Sequence, residues 1–156
     1  GLNTEKASRI TQVADYLQAD RFFVAYGDDV SDVNLTDLIR FHKAHGKLAT
    51  ITAVQVNLQY GVVEADADGL VTGFAERPQL PYWINGGFML FEREALDLMN
   101  KKENVNLETD VMPVLAERGE LMIYRHTGFW QSMNTMKDTM LLEEIWQKNP
   151  PWKVWD

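Results

Sequence analysis

Two adjacent aspartates after a short apolar run are the residues of this sequence best placed to do chemistry. Residues 22–26 are rich in aromatic and β-branched residues and stop at Gly27, which is typical of a buried strand. Asp28 and Asp29 follow directly. Ligands of open α/β sheets bind at the carboxyl ends of the strands, and a carboxylate there can hold Mg²⁺ together with substrate phosphates. The pattern therefore favours a metal site at Asp28.

The same acidic stretch can also be interpreted as a helix cap. A helix is predicted to begin near Leu35, and Asp and Asn are good N-cap residues because their side chains accept hydrogen bonds from the first backbone N–H groups. Capping fits best close to the start of the helix. We therefore favour capping for Asp32 and Asn34, and metal binding for Asp28.

Glu76 and Arg77 form a second candidate site, at the end of a predicted strand and just before Pro78. An arginine can hold a phosphate through two parallel hydrogen bonds, and a neighbouring glutamate can accept hydrogen bonds from sugar hydroxyls. The alternative is a surface ion pair, which contributes little to stability. The local sequence leaves both interpretations open.

Asn85, Gly86 and Gly87 lie inside another predicted strand. An amide beside two backbone positions without side chains suits a polar ligand such as a sugar ring. Paired glycines in a strand indicate close approach of the backbone to a ligand or to another strand. A β-bulge explains the pair equally well.

Several common types of site are absent from the sequence. There is no cysteine, which excludes a thiolate metal site. His42, His45 and His126 lack the spacing of a ligand set, and we interpret His42 and His45 as structural residues at a helix end. Neither a Gly-x-x-x-x-Gly-Lys-Ser/Thr loop nor a Gly-x-Gly-x-x-Gly motif occurs.

The elements that must position these residues follow from apolar periodicity and turn signals. Helices are predicted over residues 10–17, 35–45, 93–99, 107–117 and 135–147. Strands are predicted over residues 22–26, 47–56, 60–65, 70–75, 83–91 and 121–126, and a loop over 128–134. In the last helix, the residues expected to face inward are Met136, Met140, Leu141 and Ile145. The mixture of βα units with a hairpin predicts a three-layer α/β domain with a mixed sheet.

The bulk composition bounds the class of protein. The 156 residues suffice for a single domain, residues 1–156, with a sizeable core. No apolar run approaches the length of about 20 residues that a membrane helix needs. The net charge of −8 argues against nucleic acid as a partner, because phosphate backbones are bound by clustered Lys and Arg. We expect a cytoplasmic protein without membrane attachment.

Several stretches of the chain, taken in order, resemble one known family. They are residues 26–33 (YGDDVSDV), 41–46 (FHKAHG), 49–55 (ATITAVQ), 74–78 (FAERP), 84–88 (INGGF), 128–135 (GFWQSMNT) and 151–155 (PWKVW). In this order they resemble the glucose-1-phosphate cytidylyltransferases, which belong to the sugar-nucleotide pyrophosphorylases, a group of nucleotidyltransferases. The resemblance runs over nearly the whole chain.

The resemblance implies a fold and a reaction. The fold would be a Rossmann-like three-layer nucleotidyltransferase fold with a mixed sheet, here incomplete at the N-terminus. In the reaction, the phosphate of glucose 1-phosphate attacks the α-phosphate of CTP to give CDP-glucose and pyrophosphate. Mg²⁺ and basic groups stabilise the transferring phosphoryl group. The family forms homo-oligomers, so the expected partners are CTP, glucose 1-phosphate and further copies of the chain.

The resemblance also implies roles for single residues. Asp28 would bind Mg²⁺ and take part in catalysis, and Asn134 stands where the family has a second metal-binding aspartate. Arg77 would be both catalytic and substrate-binding. The residues that would bind the sugar and its phosphate are Gly61, Glu76, Arg77, Asn85 and Gly86.

The chain departs from the family pattern in ways that bear on catalysis. The N-terminal half of the family, with the Gly-rich loop that cradles the triphosphate, has no counterpart here. We therefore expect a piece of a longer protein that is inactive by itself. Asn134 replaces an aspartate and brings no negative charge. Arg77 replaces a lysine and keeps its charge, while Asp29 replaces a glycine and adds a carboxylate beside the metal.

Two functions remain open from the sequence. The chain is either part of a cytidylyltransferase whose other half supplies the nucleotide site, or a non-catalytic relative that binds a sugar phosphate or assembles with a partner. The metal motif of a nucleotide-sugar glycosyltransferase, at Asp28 and Asp29, is a weaker alternative that the ordered resemblance disfavours.

Overall fold

The structure is a computed structural model that describes residues 3–100 and 103–155. Its strands are β1 (Arg21–Ala25), β2 (Asp29–Ser31), β3 (Ala49–Val54), β4 (Val62–Ala65), β5 (Val71–Ala75), β6 (Ile84–Glu92), β7 (Leu121–Arg125) and β8 (Trp130–Ser132). Its α-helices are α1 (Lys6–Gln12), α2 (Leu35–His45), α3 (Leu96–Met99), α4 (Met112–Glu117) and α5 (Met136–Trp146). None of the helices in the described ranges is long and apolar enough to cross a membrane.

A four-stranded mixed sheet in the order β1-β6-β3-β7 forms the middle layer. β6 runs antiparallel to both β1 and β3, whereas β7 runs parallel to β3. Within the described residues, β1 and β7 are the edge strands of this sheet. β2 pairs with β8, and β4 pairs with β5, to form smaller two-stranded ribbons. The predicted α/β fold with a mixed sheet is confirmed.

Helices cover both faces of the central sheet. On one face, residues of α1, α3 and α4 pack around Ala49, Met89 and Phe91, all of which are buried. On the other face, His42 of α2 is fully buried and its Nδ1 lies 2.7 Å from Oγ1 of Thr50 on β3. The central strands are therefore buried on both sides, as in sheets enclosed between helices.

α2 has the bounds that the sequence predicted. The side chain of Asn34 caps it, with Oδ1 accepting hydrogen bonds from two N–H groups of the first turn at 3.0 and 3.1 Å. Gly46 ends the helix at φ 63°, a left-handed conformation that costs glycine little. The cap predicted at Asn34 is confirmed.

Asp32 does not cap α2, which corrects the prediction made for it. Its Oδ1 accepts a hydrogen bond from the N–H of Phe129 at 2.8 Å and lies 2.9 Å from Nε2 of His126. Asn34 already satisfies the donors of the first turn, so the carboxylate of Asp32 is available to hold the segment after β7. The local sequence around Asp32 is equally compatible with capping and with this contact to a distant segment, so it could not distinguish them.

The first helix also differs from the prediction. α1 covers Lys6–Gln12, whereas apolar spacing predicted residues 10–17. Ala7 and Ser8 are buried, and Oγ of Ser8 accepts a hydrogen bond from the N–H of Val105 at 2.7 Å. Packing against a distant segment fixes this helix, which is too short to be stable by propensity alone.

The predicted helix over residues 107–117 begins with a π-helical turn, Leu107–Val111. The N–H of Met112 bonds the carbonyl of Leu107, which closes the wider i to i+5 loop. Pro113 lies at the start of α4 and has no N–H to donate. Because its ring also crowds the carbonyl four residues earlier, a wider turn relieves the conflict.

Residues 128–134, which were predicted to be a loop, contain β8. In its ribbon with β2, Asp29 pairs with Ser132 and Ser31 pairs with Trp130. Each strand has three residues, which is too short for alternation to show. The ribbon brings the segment after β1 alongside the segment before α5.

The orientation predicted for α5 is wrong. Met136, Met140 and Leu141 are 76%, 67% and 43% exposed, and the buried residue of the helix is Leu142. Ile145 is half-buried. Only a narrow side of α5 contacts the rest of the described chain. The apolar side chains of the helix occupy a wider part of its circumference, so most of them remain exposed.

Candidate functional site

A cleft of about 650 Å³ opens where β1 ends. Its volume lies in the range of roughly 300–1,000 Å³ that is usual for small-molecule sites. Its charged and amide side chains are Lys6, Arg9, Asp28, Asp29, Asn85 and Asn134. The cleft therefore has the position that ligand sites take in open α/β sheets, at the carboxyl end of a strand.

Asp28 and Asn134, the two residues that the resemblance assigns to the metal, both line this cleft. The β2–β8 ribbon aligns their segments, and the N–H of Met133 donates to the carbonyl of Asp28 at 2.7 Å. Nδ2 of Asn134 donates to Oγ of Ser132 at 2.8 Å, which points to its carbonyl oxygen as the atom that a ligand could use. The cap of α5 is Thr135, so Asn134 is not needed for that purpose.

The oxygen atoms of Asp28 and Asn134 suit a hard divalent cation. The described residues contain no group of three or more His, Cys, Asp or Glu side chains that could hold a metal ion. Mg²⁺ does not require such a group, because it keeps several waters and is completed by substrate phosphates. One carboxylate and one amide oxygen beside an open cleft match that donor set.

Asp29 lines the cleft as well and is half-buried. Burial raises the pKa of its carboxyl and the charge of Asp28 adds to this, whereas a hydrogen bond with Ser132 lowers it. Gly87 faces it at φ 79°, and a Cβ built at Gly87 would overlap Oδ2 of Asp29. The glycine is therefore required both by its backbone conformation and by the close approach of this carboxylate.

A hydrogen-bonded chain of side chains connects three residues that line the cleft, Lys6, Tyr26 and Asn85, through Glu108 behind them. Oε1 of Glu108 accepts from Nζ of Lys6 at 2.5 Å and also from the hydroxyl of Tyr26. That hydroxyl accepts from Nδ2 of Asn85 at 3.2 Å, and Oδ1 of Asn85 accepts from the N–H of Gly87 at 3.0 Å. Four separate parts of the chain are thereby fixed around one side of the cleft.

The network changes the acidity of its members. Burial raises the pKa of the Tyr26 hydroxyl, and the neighbouring carboxylate of Glu108 raises it further. Burial alone would raise the pKa of Glu108, but hydrogen bonds from Lys6 and Tyr26 outweigh this and hold it below its usual range. At neutral pH, therefore, Tyr26 is a neutral donor and Glu108 is a charged acceptor.

Sequence reasoning missed Lys6, Tyr26 and Glu108 as residues of the site. Glu108 lies on the π-helical turn, far along the chain from both partners, and a glutamate in a predicted helix gives no signal of its own. Lys6 lies in a segment where no helix was predicted. Only the packing of α1 against the turn shows that they meet.

Gly61, Glu76 and Arg77 form a second group, at the base of the β4–β5 ribbon, and they do not line the cleft. A Cβ at Gly61 would lie 2.7 Å from Cζ of Phe74 and 3.0 Å from Oε2 of Glu76. Nε of Arg77 lies 3.4 Å from Oε1 of Glu76, and these two side chains are 61% and 63% exposed. The predicted sugar-binding residues are thus divided between two places.

Arg77 has a strained backbone. Its φ of 47° makes it the only residue other than glycine with positive φ in the described chain. For an L-residue this left-handed conformation costs roughly 1–2 kcal/mol, and such outliers concentrate at functional sites. The strain is the structural feature that distinguishes Arg77 from an ordinary surface arginine.

Asn85 and Gly86, which were predicted together, have different environments. Asn85 lines the cleft, whereas Gly86 is buried next to β3. The carbonyl of Gly86 accepts from Nε1 of Trp130 at 2.9 Å, and a Cβ at Gly86 would lie 2.9 Å from Cγ1 of Val54. The register between β3 and β6 shifts at this point, as in a β-bulge. Both interpretations of the paired glycines, close strand approach and a bulge, therefore apply.

Comparison with known proteins places the chain in a family. It matches the nucleotidyl transferase family over residues 2–147. Because this match covers almost the entire sequence, the chain belongs to the nucleotidyl transferase family.

Curated relatives narrow the comparison. The chain is 38% identical over 159 residues to the glucose-1-phosphate cytidylyltransferase of Salmonella typhi and 35% identical over 156 residues to the probable glucose-1-phosphate cytidylyltransferase of Bacillus subtilis. These matches cover 100% and 99% of this chain but 61% of each relative. The mannose-1-phosphate guanylyltransferase catalytic subunit beta of Xenopus tropicalis is 34% identical over 144 residues, which are 86% of this chain and 40% of that protein. The chain thus spans about three fifths of the cytidylyltransferases it resembles.

Solved structures share the fold. HddC from Yersinia pseudotuberculosis aligns with a TM-score of 0.68 at 19% identity, over 91% of this chain and 62% of that one. A putative glucose-1-phosphate thymidylyltransferase from Bacillus anthracis, in complex with a sucrose, aligns with a TM-score of 0.70 at 16% identity, over 93% and 62%. At these identities the likeness concerns the fold, and it agrees with the predicted nucleotidyltransferase architecture.

Proposed function

We propose that this chain is the sugar-phosphate-binding part of a sugar-1-phosphate nucleotidyltransferase that makes CDP-glucose and pyrophosphate from CTP and glucose 1-phosphate. The observation that carries the proposal is the meeting of Asp28 and Asn134 on one cleft at the end of β1. The identity of 38% to a cytidylyltransferase supports this choice of substrates. On this proposal residues 1–156 form the C-terminal part of the catalytic domain.

The chemistry would be an in-line transfer of a nucleotidyl group. An oxygen of the sugar phosphate forms a bond to the α-phosphorus of CTP, and the bond from that phosphorus to the β-phosphate oxygen breaks, so that pyrophosphate leaves. Mg²⁺, when bound, neutralises charge on the transferring phosphoryl group. In this chain Asp28 and Asn134 would hold it, through one carboxylate and one amide oxygen.

Arg77 and Glu76 would act on the sugar phosphate. The guanidinium of Arg77 provides a planar pair of donors for phosphate oxygens, and Glu76 provides acceptors for sugar hydroxyls. Both side chains are exposed and pair only loosely with each other, so a substrate can replace that contact at little cost. The positive φ of Arg77 supports a functional role, because strained backbone conformations cluster at functional sites.

Asn85 would contact the sugar from the side of the cleft, and Gly61 and Gly86 would shape the pocket. Asn85 is held by hydrogen bonds from its amide group to Tyr26 and from the N–H of Gly87, which fixes the amide orientation. Gly61 leaves room beside Glu76, since a side chain there would press on that carboxylate.

The nucleotide would be bound largely by residues that precede this chain in a longer protein. Within the part of the chain that the structure describes, β1 is an edge strand, and its outer edge offers backbone groups that further strands of such a domain can pair with. The relatives are longer than the region matched here, as this proposal requires.

The test is pyrophosphate release from CTP and glucose 1-phosphate with Mg²⁺. We expect no turnover from the 156-residue chain alone, and turnover from a longer chain in which the N-terminal half of a relative precedes it. Asp28→Asn in the longer chain should abolish transfer, while Lys148→Gln, on the far end of α5, should leave it unchanged. Turnover of the short chain on the order of 1 per second, or an inactive longer chain that folds and binds both substrates, contradicts the proposal.

A non-catalytic, sugar-phosphate-binding subunit is the second candidate. The observation in its favour is Asn134, which gives the metal site one negative charge fewer than a pair of aspartates. On this view the longer chain binds glucose 1-phosphate but does not release pyrophosphate, and Asn134→Asp restores release.

A further inference from the structure

Lys6 is a cation of the cleft that neither the sequence pattern nor the comparisons single out. It is the first residue of α1, and its side chain lines the cleft together with Asp28, Asp29 and Asn134. Its ammonium lies 4.2 Å from the centre of the Tyr26 ring. A lysine placed over an aromatic face and inside a cleft is held more firmly than a lysine in solvent.

Glu108 fixes the position of this ammonium. The 2.5 Å contact between Nζ of Lys6 and Oε1 of Glu108 joins α1 to the π-helical turn. Oδ1 of Asn106 accepts from the N–H groups of Glu108 and its neighbour, both at 2.9 Å, and so holds the turn in place. The same carboxylate oxygen binds the Tyr26 hydroxyl, so Glu108 is itself restrained from two sides. π-helical turns often occur at functional sites.

Among the described residues, Glu108 is the hydrogen-bond acceptor of the Lys6 ammonium. A lysine has three N–H donors, and Glu108 accepts from one of them. The carboxylates of Asp28 and Asp29 would repel a phosphate that entered the cleft, so a cation in the same lining, such as the ammonium of Lys6, favours its binding.

We propose that Lys6 binds a phosphate group of the substrate, with Glu108 and Tyr26 as the residues that position its ammonium. This rests on the proposed function, because it assumes that phosphorylated substrates enter this cleft. The phosphate belongs either to glucose 1-phosphate or to CTP, and the chemistry of recognition is the same for both: a charge-assisted hydrogen bond from an ammonium to phosphate oxygens.

The alternative is that Lys6 only ties α1 to the π-helical turn. Half-exposed ion pairs of this kind contribute between 0 and about 1 kcal/mol to stability. A purely structural Lys6 would affect stability and leave the affinity for phosphates unchanged. The two interpretations therefore differ in what binding measurements show.

The test is a nuclear magnetic resonance titration of the ¹⁵N-labelled chain. Glucose 1-phosphate and CTP are added in separate experiments, with glucose and cytidine as probes that lack phosphate. The amide signals of Asp28 and Gly87 report binding at the cleft, and those of β7 report folding. The variants are Lys6→Gln and Lys6→Arg, and the matched control is Lys148→Gln, whose ammonium also lies 2.6 Å from a glutamate but on α5.

We expect Lys6→Gln to weaken the binding of one phosphorylated probe by tenfold or more, as the loss of a charge-assisted hydrogen bond predicts. The probe affected identifies the phosphate. Lys6→Arg should retain more affinity than Lys6→Gln, and the control should match the wild-type chain. The ammonium ¹⁵N signal of Lys6 in the unaltered chain should shift with the same probe, which gives a result even if Lys6→Gln does not fold.

Two outcomes are unfavourable and can be told apart. Wild-type affinity of Lys6→Gln for both phosphorylated probes, or an ammonium signal that stays in place while the cleft amides shift, overturns the role of Lys6 and leaves the proposed function standing. Absence of any shift with either probe in the folded wild-type chain overturns the proposed function and this inference together.

Discussion

The cleft and the base of the β4–β5 ribbon hold the two halves of the candidate site in very different ways. In the cleft, hydrogen bonds connect Lys6, Glu108, Tyr26 and Asn85 in series, and strand pairing places Asp28 beside the segment of Asn134. At the ribbon, Glu76 and Arg77 are mostly exposed and pair at 3.4 Å. One region is organised by internal hydrogen bonds before a ligand arrives, whereas the side chains of the other are largely exposed to solvent.

This difference matches the chemistry proposed for each region. A metal and a reacting phosphate need ligands held at fixed positions, because small displacements reduce the rate strongly. Residues that contact the outside of a sugar tolerate more freedom, and an exposed ribbon can adapt to the substrate. Substitutions should therefore affect stability mainly in the cleft, and substrate affinity in both regions.

The largest effect on stability is expected for Gly87 of the cleft, and Gly69, in the turn at the end of the β4–β5 ribbon away from Glu76 and Arg77, provides the comparison. Gly87→Ala introduces a Cβ that overlaps Oδ2 of Asp29 at φ 79°, and we expect it to lower the free energy of unfolding by about 2–4 kcal/mol. Gly69→Ala in the ribbon turn has φ 88° but nothing within 4 Å, so backbone strain alone should cost about 1–2 kcal/mol. Urea denaturation measures both.

Equal losses for Gly87→Ala and Gly69→Ala would contradict the comparison. Equal losses would mean that backbone strain at positive φ explains the loss of stability at both positions. The side chain of Asp29 would then move away from the new Cβ at no cost. Gly46→Ala, at φ 63° with an open surrounding, is a second control for strain alone.

The next effect concerns metal affinity in the cleft. Asn134→Asp adds a charged oxygen beside Asp28 and should raise the affinity for Mg²⁺ about tenfold, because hard cations prefer carboxylates. Asp28→Asn should lower it by at least as much. Glu76→Gln, in the ribbon, should leave it unchanged. Calorimetric titration of Mg²⁺ into the unaltered chain and the three variants measures these affinities. If Asn134→Asp binds Mg²⁺ no more tightly than the unaltered chain does, position 134 is not a metal ligand.

Acid should weaken the sheet that supports the cleft. Burial lowers the pKa of His42, although Glu92 opposes this, and burial and the charge of His42 lower that of His45. Both histidines have pKa values below the unfolded value of about 6.5, so the unfolded chain binds protons that the folded chain does not. The contribution of the two neutral histidines to the stability of the folded state is complete above a pH of about 6.5. It is lost as the pH falls from there through their lower pKa values in the folded chain.

Stability measured by urea denaturation between pH 7 and pH 5 checks this expectation. The groups that face His42 are Glu92, Thr50, Arg21 and His45. His42→Gln keeps a polar group but does not titrate, so it should reduce the slope of stability with pH. An unchanged slope in that variant assigns the effect to other groups.

The smallest effect on stability is expected at the ribbon. Glu76→Gln and Arg77→Met remove an exposed ion pair and should change the free energy of unfolding by less than about 0.5 kcal/mol. The same substitutions should weaken the binding of glucose 1-phosphate several-fold, because each removes a contact to the substrate. If both variants bind glucose 1-phosphate as tightly as the unaltered chain does, the sugar phosphate does not contact Glu76 or Arg77.

The sequence by itself determined the elements whose signals are local. Residues 35–45 carry a cap at Asn34, an apolar stripe and Gly46, and the helix forms as predicted. The turn that ends in Gly69 likewise formed the predicted hairpin. The order of the motifs, together with Asp28 at the end of a strand, was enough to predict the family's fold and the position of the cleft.

Tertiary structure decided the features that depend on residues far apart in the chain. Glu108 meets Lys6 only because α1 packs against the π-helical turn, and β8 exists only because β2 pairs with it. Asp32, which the sequence assigned to a cap, holds Phe129 instead. In each of these cases a short or polar segment has weak intrinsic preference, so its conformation is set by its partner, and no local pattern in the sequence identifies that partner.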